Sequence, residues 1–341
     1  MSARILIVLS ATIAGCLLAS VPAGAVIGGR PVARSANPAV VELQSCTGSL
    51  ITSTRVLTAA HCLPQLIPHR TRIAIGGARY TVQRVARDPR YAYAQHRYED
   101  PTPYAPPYDA AIFELDRPVT GVTPLALRTA PVTPGTAARS IGFGVDRLGG
   151  MFGTLRAAGV VTRSDASCRA AIRRADPKQV QLYKPGLMVC VQDPDRRRPY
   201  RSACNGDSGS PLLIDGRVAG IDAWGVDCGT RGNDPANYMT IPSVLDFVTA
   251  ARPSWEPEPA TATTISGTPT VGSTLTCNPP AWAGTPPAGV TFNWETPRSG
   301  ASGPTYVVRA QDAGGAIRCQ AGASIEGGGT VYFLSAPVTV G

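Results

Sequence analysis

Lysine is nearly missing from this chain: among 341 residues it stands only at positions 178 and 184, and arginine supplies the rest of the 32 basic side chains. Beyond residue 25 no apolar run is long enough to span a bilayer, so no transmembrane segment is expected in the mature chain. Histidine is confined to His61, His69 and His96, and no acidic cluster has ligand spacing, so neither a metal nor another cofactor is expected. No nucleic-acid motif accompanies the net charge of +9, which therefore reads as a solvated arginine-rich surface rather than a polyanion site. The charge is uneven, because residues 256–341 hold three arginines against five acids, a net of −2. Arg196-Arg-Arg198 lies between Pro194 and Pro199 and is expected as an exposed loop.

What is present begins with a leader. A basic start ending at Arg4 precedes an apolar stretch from Ile5 to Val21, and Ala23-Gly-Ala25 is a small-residue cleavage site. Residues 1–25 are thus expected to leave as a signal peptide, giving a secreted chain that starts at Val26. Ile13-Ala-Gly-Cys16 offers a competing reading as a bacterial lipoprotein box with Cys16 lipidated, although Leu17 and Leu18 carry the apolar stretch past it. Of nine cysteines Cys16 goes with the leader, and the remaining eight suit four disulfides in an oxidising compartment.

The 43% hydrophobic content suffices for packed cores in one large and one smaller domain. Across residues 26–252, short runs such as Arg72 to Ile75, Tyr80 to Gln83 and Ala111 to Leu115 alternate with Gly, Pro and Asp clusters, a pattern of many short strands. Residues 243–251 break it: Ser243 and Asp246 fit a capping box, and Val244, Leu245 and Val248 share a helical face. Residues 253–264, with Pro253, Pro257 and Pro259, are predicted as a semi-extended linker. In residues 265–341, strand-like stretches at Thr291 to Trp294, Thr305 to Val308 and Val331 to Leu334 accompany the order Cys277, Trp294, Cys319, which suggests a small β-sandwich. This tail resembles the immunoglobulin-like tails of secreted bacterial enzymes, with Ile317 where a tyrosine often precedes the second cysteine. A cell-surface or polysaccharide ligand is the partner class considered for it, with a plain spacer as the other reading.

Chemistry is concentrated in a few short runs. Cys204-Asn-Gly-Asp-Ser-Gly-Ser-Pro211 and Thr58-Ala-Ala-His-Cys62 offer a serine nucleophile and a histidine base; a serine hydroxyl needs such a base, and the base needs a third group to orient it. With Val26-Ile-Gly-Gly29, Tyr108-Asp-Ala-Ala-Ile112 and Ala223-Trp-Gly225 in the same order, residues 26–252 resemble the chymotrypsin/trypsin family of serine proteases. The resemblance implies an all-β fold of two six-stranded antiparallel barrels with a C-terminal helix, followed here by the small sandwich. It implies an endopeptidase for protein or peptide substrates that uses Ser208, His61 and Asp109 and passes through an acyl-enzyme. Asp100 and Asp116 are the rival carboxylates, and both read as solvated turns.

The same resemblance assigns the oxyanion hole to the backbone N–H groups of Gly206 and Ser208, and pairs a new Val26 ammonium with Asp207. Signal cleavage alone would then create the active amine. The implied disulfides are Cys46 with Cys62, Cys168 with Cys190, and Cys204 with Cys228, leaving Cys277 with Cys319 for the tail. The substrate pocket falls to Ser202, Asn205, Ala223, Trp224, Gly225 and Ala236, with Gly225 offering strand-like backbone hydrogen bonds. Ser202 stands where an aspartate would select basic residues, and the methyl of Ala236 reduces depth, so small or medium apolar side chains are expected. Asp227 and Asp234 leave a basic preference open. Ala223 replaces a serine that would donate to Asp109, and Ser210 replaces a glycine. The alternative is a catalytically silent homologue acting as a secreted binding or adhesion protein; an esterase using the same residues is a third reading.

Overall fold

The computed structural model describes residues 26–91, 107–147, 149–195, 197–229, 232–283, 286–298, 300–324 and 330–341. The leader with Cys16, as well as His96, Asp100 and Arg196, lies outside the described residues.

The alternating runs become two antiparallel barrels. The first sheet has the order Val40–Leu43, Cys46–Leu50, Arg55–Thr58, Ala111–Leu115, Ala78–Arg87, Arg72–Ile75. The second closes on itself through Arg156–Thr162, Met188–Gln192, Ala236–Thr240, Arg217–Gly225, Pro211–Ile214 and Ala137–Gly142, which pairs back onto Arg156–Thr162. Closure removes the free edges that an open sheet would present. Leu50, Leu57, Ile112 and Phe113 in the first barrel, and Leu212, Ile214 and Tyr238 in the second, are fully buried.

Two helices flank the second barrel. Asp165–Ala175 went unforeseen in the sequence; Ser164 caps it by accepting from the Ser167 N–H at 3.3 Å, and Arg173 and Arg174 complement its C-terminal end. The terminal helix runs Ile241–Thr249, two residues earlier than the proposed capping box, with Pro242 in its first turn. Ser243 is therefore inside the helix, and its hydroxyl donates to the Thr240 carbonyl at 2.7 Å rather than capping the N-terminus.

Residues beyond 252 form small β-sheets. One comprises Thr264–Ser266, Thr274–Asn278 and Thr305–Val307; a second joins Gly300–Ser302, Val290–Glu295, Ala316–Ser324 and Thr330–Leu334, with Val338–Thr339 paired to Ala316–Ser324; in a third, Glu258–Pro259 pairs with Trp282–Ala283. Cys277 on the first is bonded to Cys319 on the second, and Trp294, the ladder neighbour of Cys319, is buried against them with Tyr306. The stretch between the barrels and these sheets is tied down. Trp255 lies beside the Arg84 guanidinium at 4.2 Å, the Glu256 N–H donates to the Val85 carbonyl at 2.8 Å, and the Glu256 carboxylate pairs with Arg87 in a buried contact.

Candidate active site

Strand pairing brings His61 and Asp109 together. Thr58 ends one strand opposite Ala111, which begins its antiparallel neighbour, so the short helical turn Ala60–Gln65 and Asp109, two residues before that neighbour, meet at one end of the first barrel. Asp109 is 4% exposed and accepts twice from His61: the backbone N–H reaches Oδ1 at 2.9 Å, and Nδ1 lies 2.7 Å from Oδ2. Burial alone would lower the imidazole pKa, but the charge and hydrogen bond of Asp109 outweigh it and the net shift is upward.

The turn bearing Ser208 is pinned between the barrels. Thr47 N–H donates to the Ser208 carbonyl at 2.8 Å, and the Thr47 hydroxyl donates to the Gly206 carbonyl at 3.0 Å while accepting from the Phe143 N–H at 3.0 Å. The Ser208 carbonyl also lies 3.7 Å from Sγ of Cys62, the residue after His61, so serine and histidine stand on neighbouring backbone. Among the described residues the Ser208 hydroxyl makes no hydrogen bond to His61. Catalytic contacts of this kind often tighten only when substrate is bound.

Two glycines make the turn feasible. Gly206 has φ of 91° and Gly209 has φ of 81°, a region that side chains disfavour. A Cβ on Gly209 would fall 2.1 Å from the Thr58 hydroxyl and 2.4 Å from the Thr47 carbonyl oxygen. The backbone N–H groups of Gly206 and Ser208 flank Asp207, whose own N–H is taken by the Cys204 carbonyl at 2.9 Å.

Asp207 points away from this turn into the protein. Its carboxylate accepts from Gly144 N–H and Cys204 N–H at 3.0 Å each and from the Val26 backbone nitrogen. Burial pushes its pKa up to about 7 despite those donors. Val26 is itself fully buried, held by Gly29 N–H on its carbonyl at 2.8 Å and by the bridge between Ile27 and Ser202.

The remaining sequence-assigned positions fall around the second barrel. Ser202 is buried and donates to the Ala203 carbonyl at 3.1 Å; Asn205 is exposed, and its carbonyl accepts from Val145 N–H at 2.8 Å. Gly225 is exposed opposite Ala236, and Trp224 opposite Asn237 is partly buried. Ala223 is buried and has no hydroxyl to offer. Asp227 and Asp234 share a hydrogen bond, and burial with that contact raises the Asp234 pKa, so the two acids turn toward each other. Asp116, just after the strand Ala111–Leu115, accepts from the N–H of Thr81 on the neighbouring strand at 3.0 Å, and His69 pairs with Glu258. The structure joins Cys46 to Cys62, Cys168 to Cys190, Cys204 to Cys228 and Cys277 to Cys319. His61 lies close to the sulfurs of Cys46 and Cys62, but the disulfide leaves no thiolate there to bind a metal. Sequence reasoning passed over Asp222, a buried acid one residue before the Ala223-Trp224-Gly225 run; its signal was an acid inside a strand of otherwise apolar residues.

A fold of two β-barrels with a serine, a histidine and a carboxylate at their junction defines a class of hydrolase. The chain belongs to the trypsin family of serine proteases, whose family profile matches residues 26–248. It is 29% identical to trypsin 5G1 of Aedes aegypti over 281 residues, covering 72% of this chain and 97% of that protein. It is 28% identical to a trypsin of Saccharopolyspora erythraea, covering 65% of this chain and 96% of the other. Among solved structures it resembles neuropsin, a serine protease expressed in the limbic system of mouse brain, with a TM-score of 0.52 and 24% identity over 65% of this chain and 97% of that one.

Proposed function

We propose that this protein is a secreted endopeptidase in which Ser208 attacks a peptide carbonyl, His61 moves the proton and Asp109 orients the imidazole. The observation that carries the reading is the doubled His61–Asp109 hydrogen bond, set beside a Ser208 turn held by Thr47. With Nδ1 engaged by Asp109, the imidazole presents Nε2 to take the hydroxyl proton. That proton then passes to the leaving amine, and water attacks the acyl-enzyme by the same route in reverse. The N–H groups of Gly206 and Ser208 face the developing oxyanion, where one such donor is worth roughly 3 kcal/mol.

Val26 and Asp207 act as the activation pair. Signal cleavage before Val26 turns the amide at Asp207 into an ammonium, which gives the buried carboxylate a charged partner and orders the adjoining Gly206–Ser208 turn. The four disulfides and the absence of any described helix long and apolar enough to cross a membrane accord with export. The tail is an immunoglobulin-like sandwich, supported by its two facing sheets, the Cys277–Cys319 bond between them and Trp294 packed on it.

The test is a peptide-library digest by protein beginning at Val26, with Ser208→Ala as control. Cleavage lost in the control supports the reading. Equal cleavage by both proteins, or none by either under conditions where a fluorophosphonate leaves Ser208 unlabelled, would replace it with that of a silent binding homologue.

A further inference from the structure

Two hydrogen bonds fix the carbonyls on either side of Gly206. The Gly206 carbonyl accepts from the Thr47 hydroxyl at 3.0 Å, and the Asn205 carbonyl accepts from the Val145 N–H at 2.8 Å. The second has the sharper consequence. Carbonyl and N–H point in opposite directions across a trans peptide, so the donor that fixes the Asn205 carbonyl also aims the N–H of Gly206. Gly206, at a φ of 91°, carries no side chain to hinder rotation of that peptide, which leaves its orientation to the Val145 contact.

Val145 is itself held from the start of the mature chain. Arg156, 7% exposed, opens the strand Arg156–Thr162, where it is laddered to Pro31 on one side and Gly142 on the other. Its Nη1 donates to the Gly29 carbonyl at 2.7 Å, and its Nη2 lies 3.4 Å from Oδ2 of Asp146, the residue after Val145. One buried guanidinium thus joins the segment that follows Val26 to the loop that aims Gly206. The same loop touches the turn again: a Cβ on Gly206 would fall 2.5 Å from Cδ1 of Phe152, so that ring lies against the glycine. Arg147 also reaches Asp146, at 3.4 Å, but its side chain is exposed and a surface pair of this kind contributes little.

Resting on the protease reading above, in which the Gly206 N–H meets the oxyanion, we propose that Arg156 is a positioning residue that transmits the seating of the N-terminal segment to that donor. The route runs from the Gly29 carbonyl through the Arg156 guanidinium, the Asp146 carboxylate, the Val145 N–H and the Asn205 carbonyl to the Gly206 N–H. It is separate from the pair of Val26 and Asp207. That pair depends on whether Val26 carries a charge, whereas the Gly29 carbonyl is the same acceptor in either form of the chain. A guanidinium suits the task because its planar fork offers two donors in fixed geometry, one for a carbonyl and one for a carboxylate. Without it Asp146 keeps only the exposed Arg147, and the Val145 N–H is no longer held against Asn205. The loss is felt where negative charge develops on the attacked carbonyl, so it falls on kcat rather than on substrate binding.

The experiment uses the full chain from Val26 as the unaltered protein, Arg156→Gln, Asp146→Asn and the double variant. Each is read with one cleaved peptide and with two inhibitors of the same sequence, a peptide aldehyde and the corresponding alcohol. Ser208 Oγ bonds to the aldehyde carbon, the C=O π pair moves onto oxygen and the hydroxyl proton goes to His61, so the adduct carries an oxyanion; the alcohol forms none. Expected in each single variant is a kcat lower by about tenfold with KM within about twofold, a part of the hundredfold or more that a whole donor supplies. Aldehyde affinity should fall by the same factor and alcohol affinity should stay. The double variant should lose no more than either single one, because the two residues act in series. Unchanged aldehyde affinity, equal losses for aldehyde and alcohol, or losses that add in the double variant would each overturn the inference. Asp146→Asn alone carries the test if Arg156→Gln does not fold. Fluorophosphonate labelling of the unaltered protein separates the two failures: labelled Ser208 with aldehyde affinity indifferent to both substitutions removes only the role of Arg156, whereas unlabelled Ser208 removes the protease reading and this inference together.

Discussion

The backbone nitrogen of Val26 donates to the carboxylate of Asp207 in a place sealed from solvent, and Asp207 directly precedes Ser208. In a chain that continues upstream of Val26 this donor is a neutral amide; in one that starts there it is an ammonium.

The first expected outcome concerns pH. With the amide as partner the Asp207 pKa is about 7 in the folded chain, against an ordinary 3.8. An acid whose pKa is raised by folding stabilises the fold while protonated, so its contribution is present below 3.8 and is lost as pH rises toward 7. Three pKa units correspond to about 4 kcal/mol. Protein retaining residues 21–25 should therefore lose melting temperature between pH 4 and 7 relative to protein beginning at Val26. Parallel calorimetric Tm profiles for the two would contradict the pairing.

Asp109→Asn removes the charge that raises the His61 pKa and turns the imidazole into the wrong tautomer. Turnover should drop by about 10⁴-fold, as removal of this charge does in other triads. Activity needs the neutral imidazole and so rises with pH through the His61 pKa. The acid limb of kcat/KM should accordingly shift to lower pH in the variant, read from a pH series on one peptide.

Thr47→Val keeps the volume but deletes the hydroxyl that serves Gly206 and Phe143. Leaving those buried groups unpaired costs about 1 to 3 kcal/mol by the usual penalty. The Gly206 turn should loosen too, so kcat is expected to fall more than KM rises. Unchanged stability in denaturant would show that the hydroxyl is dispensable.

Gly209→Ala places a methyl against the Thr58 hydroxyl and the Thr47 carbonyl at a left-handed φ. Thr47 cannot withdraw without breaking its N–H contact to the Ser208 carbonyl, nor Thr58 without losing the hydrogen bond its hydroxyl donates to the Thr47 carbonyl. The loss should reach about 3 kcal/mol or more, combining strain with overpacking. Normal secretion and melting of this variant would refute the tightness of the turn.

Glu256→Gln leaves Arg87 buried beside a neutral amide. Breaking a buried pair in this way costs about 3 to 5 kcal/mol when no other partner forms. Limited proteolysis should then cut near Trp255 before the barrels melt, whereas the unaltered protein resists. Identical digestion patterns would mean the Trp255–Glu256 segment is held by its other contacts.

Much of the architecture was legible beforehand because its causes are local. Short β-branched runs set between Gly, Pro and Asp clusters marked strands such as Arg72–Ile75 and Ala111–Leu115. The helix Asp165–Ala175 was missed because its apolar stripe is thin, with Cys168, Ala171 and Ile172 as its buried residues. The capping box at Ser243 failed because the hydroxyl found a nearer carbonyl at Thr240 once Pro242 had started the helix earlier.

The sequence alone determined which residue types stand in which short runs: the serine between two glycine-relieved turns, the histidine before Cys62 and the acid before an apolar strand. Backbone conformation there depends on a few adjacent residues. Tertiary structure decided which acids have a counter-charge. His61 reaches Asp109 only because Thr58 pairs with Ala111, Val26 reaches Asp207 from the far end of the chain, and Asp222 is left unmatched by what surrounds it. Compensation of a buried charge is a property of neighbours in space, and no run of sequence contains them.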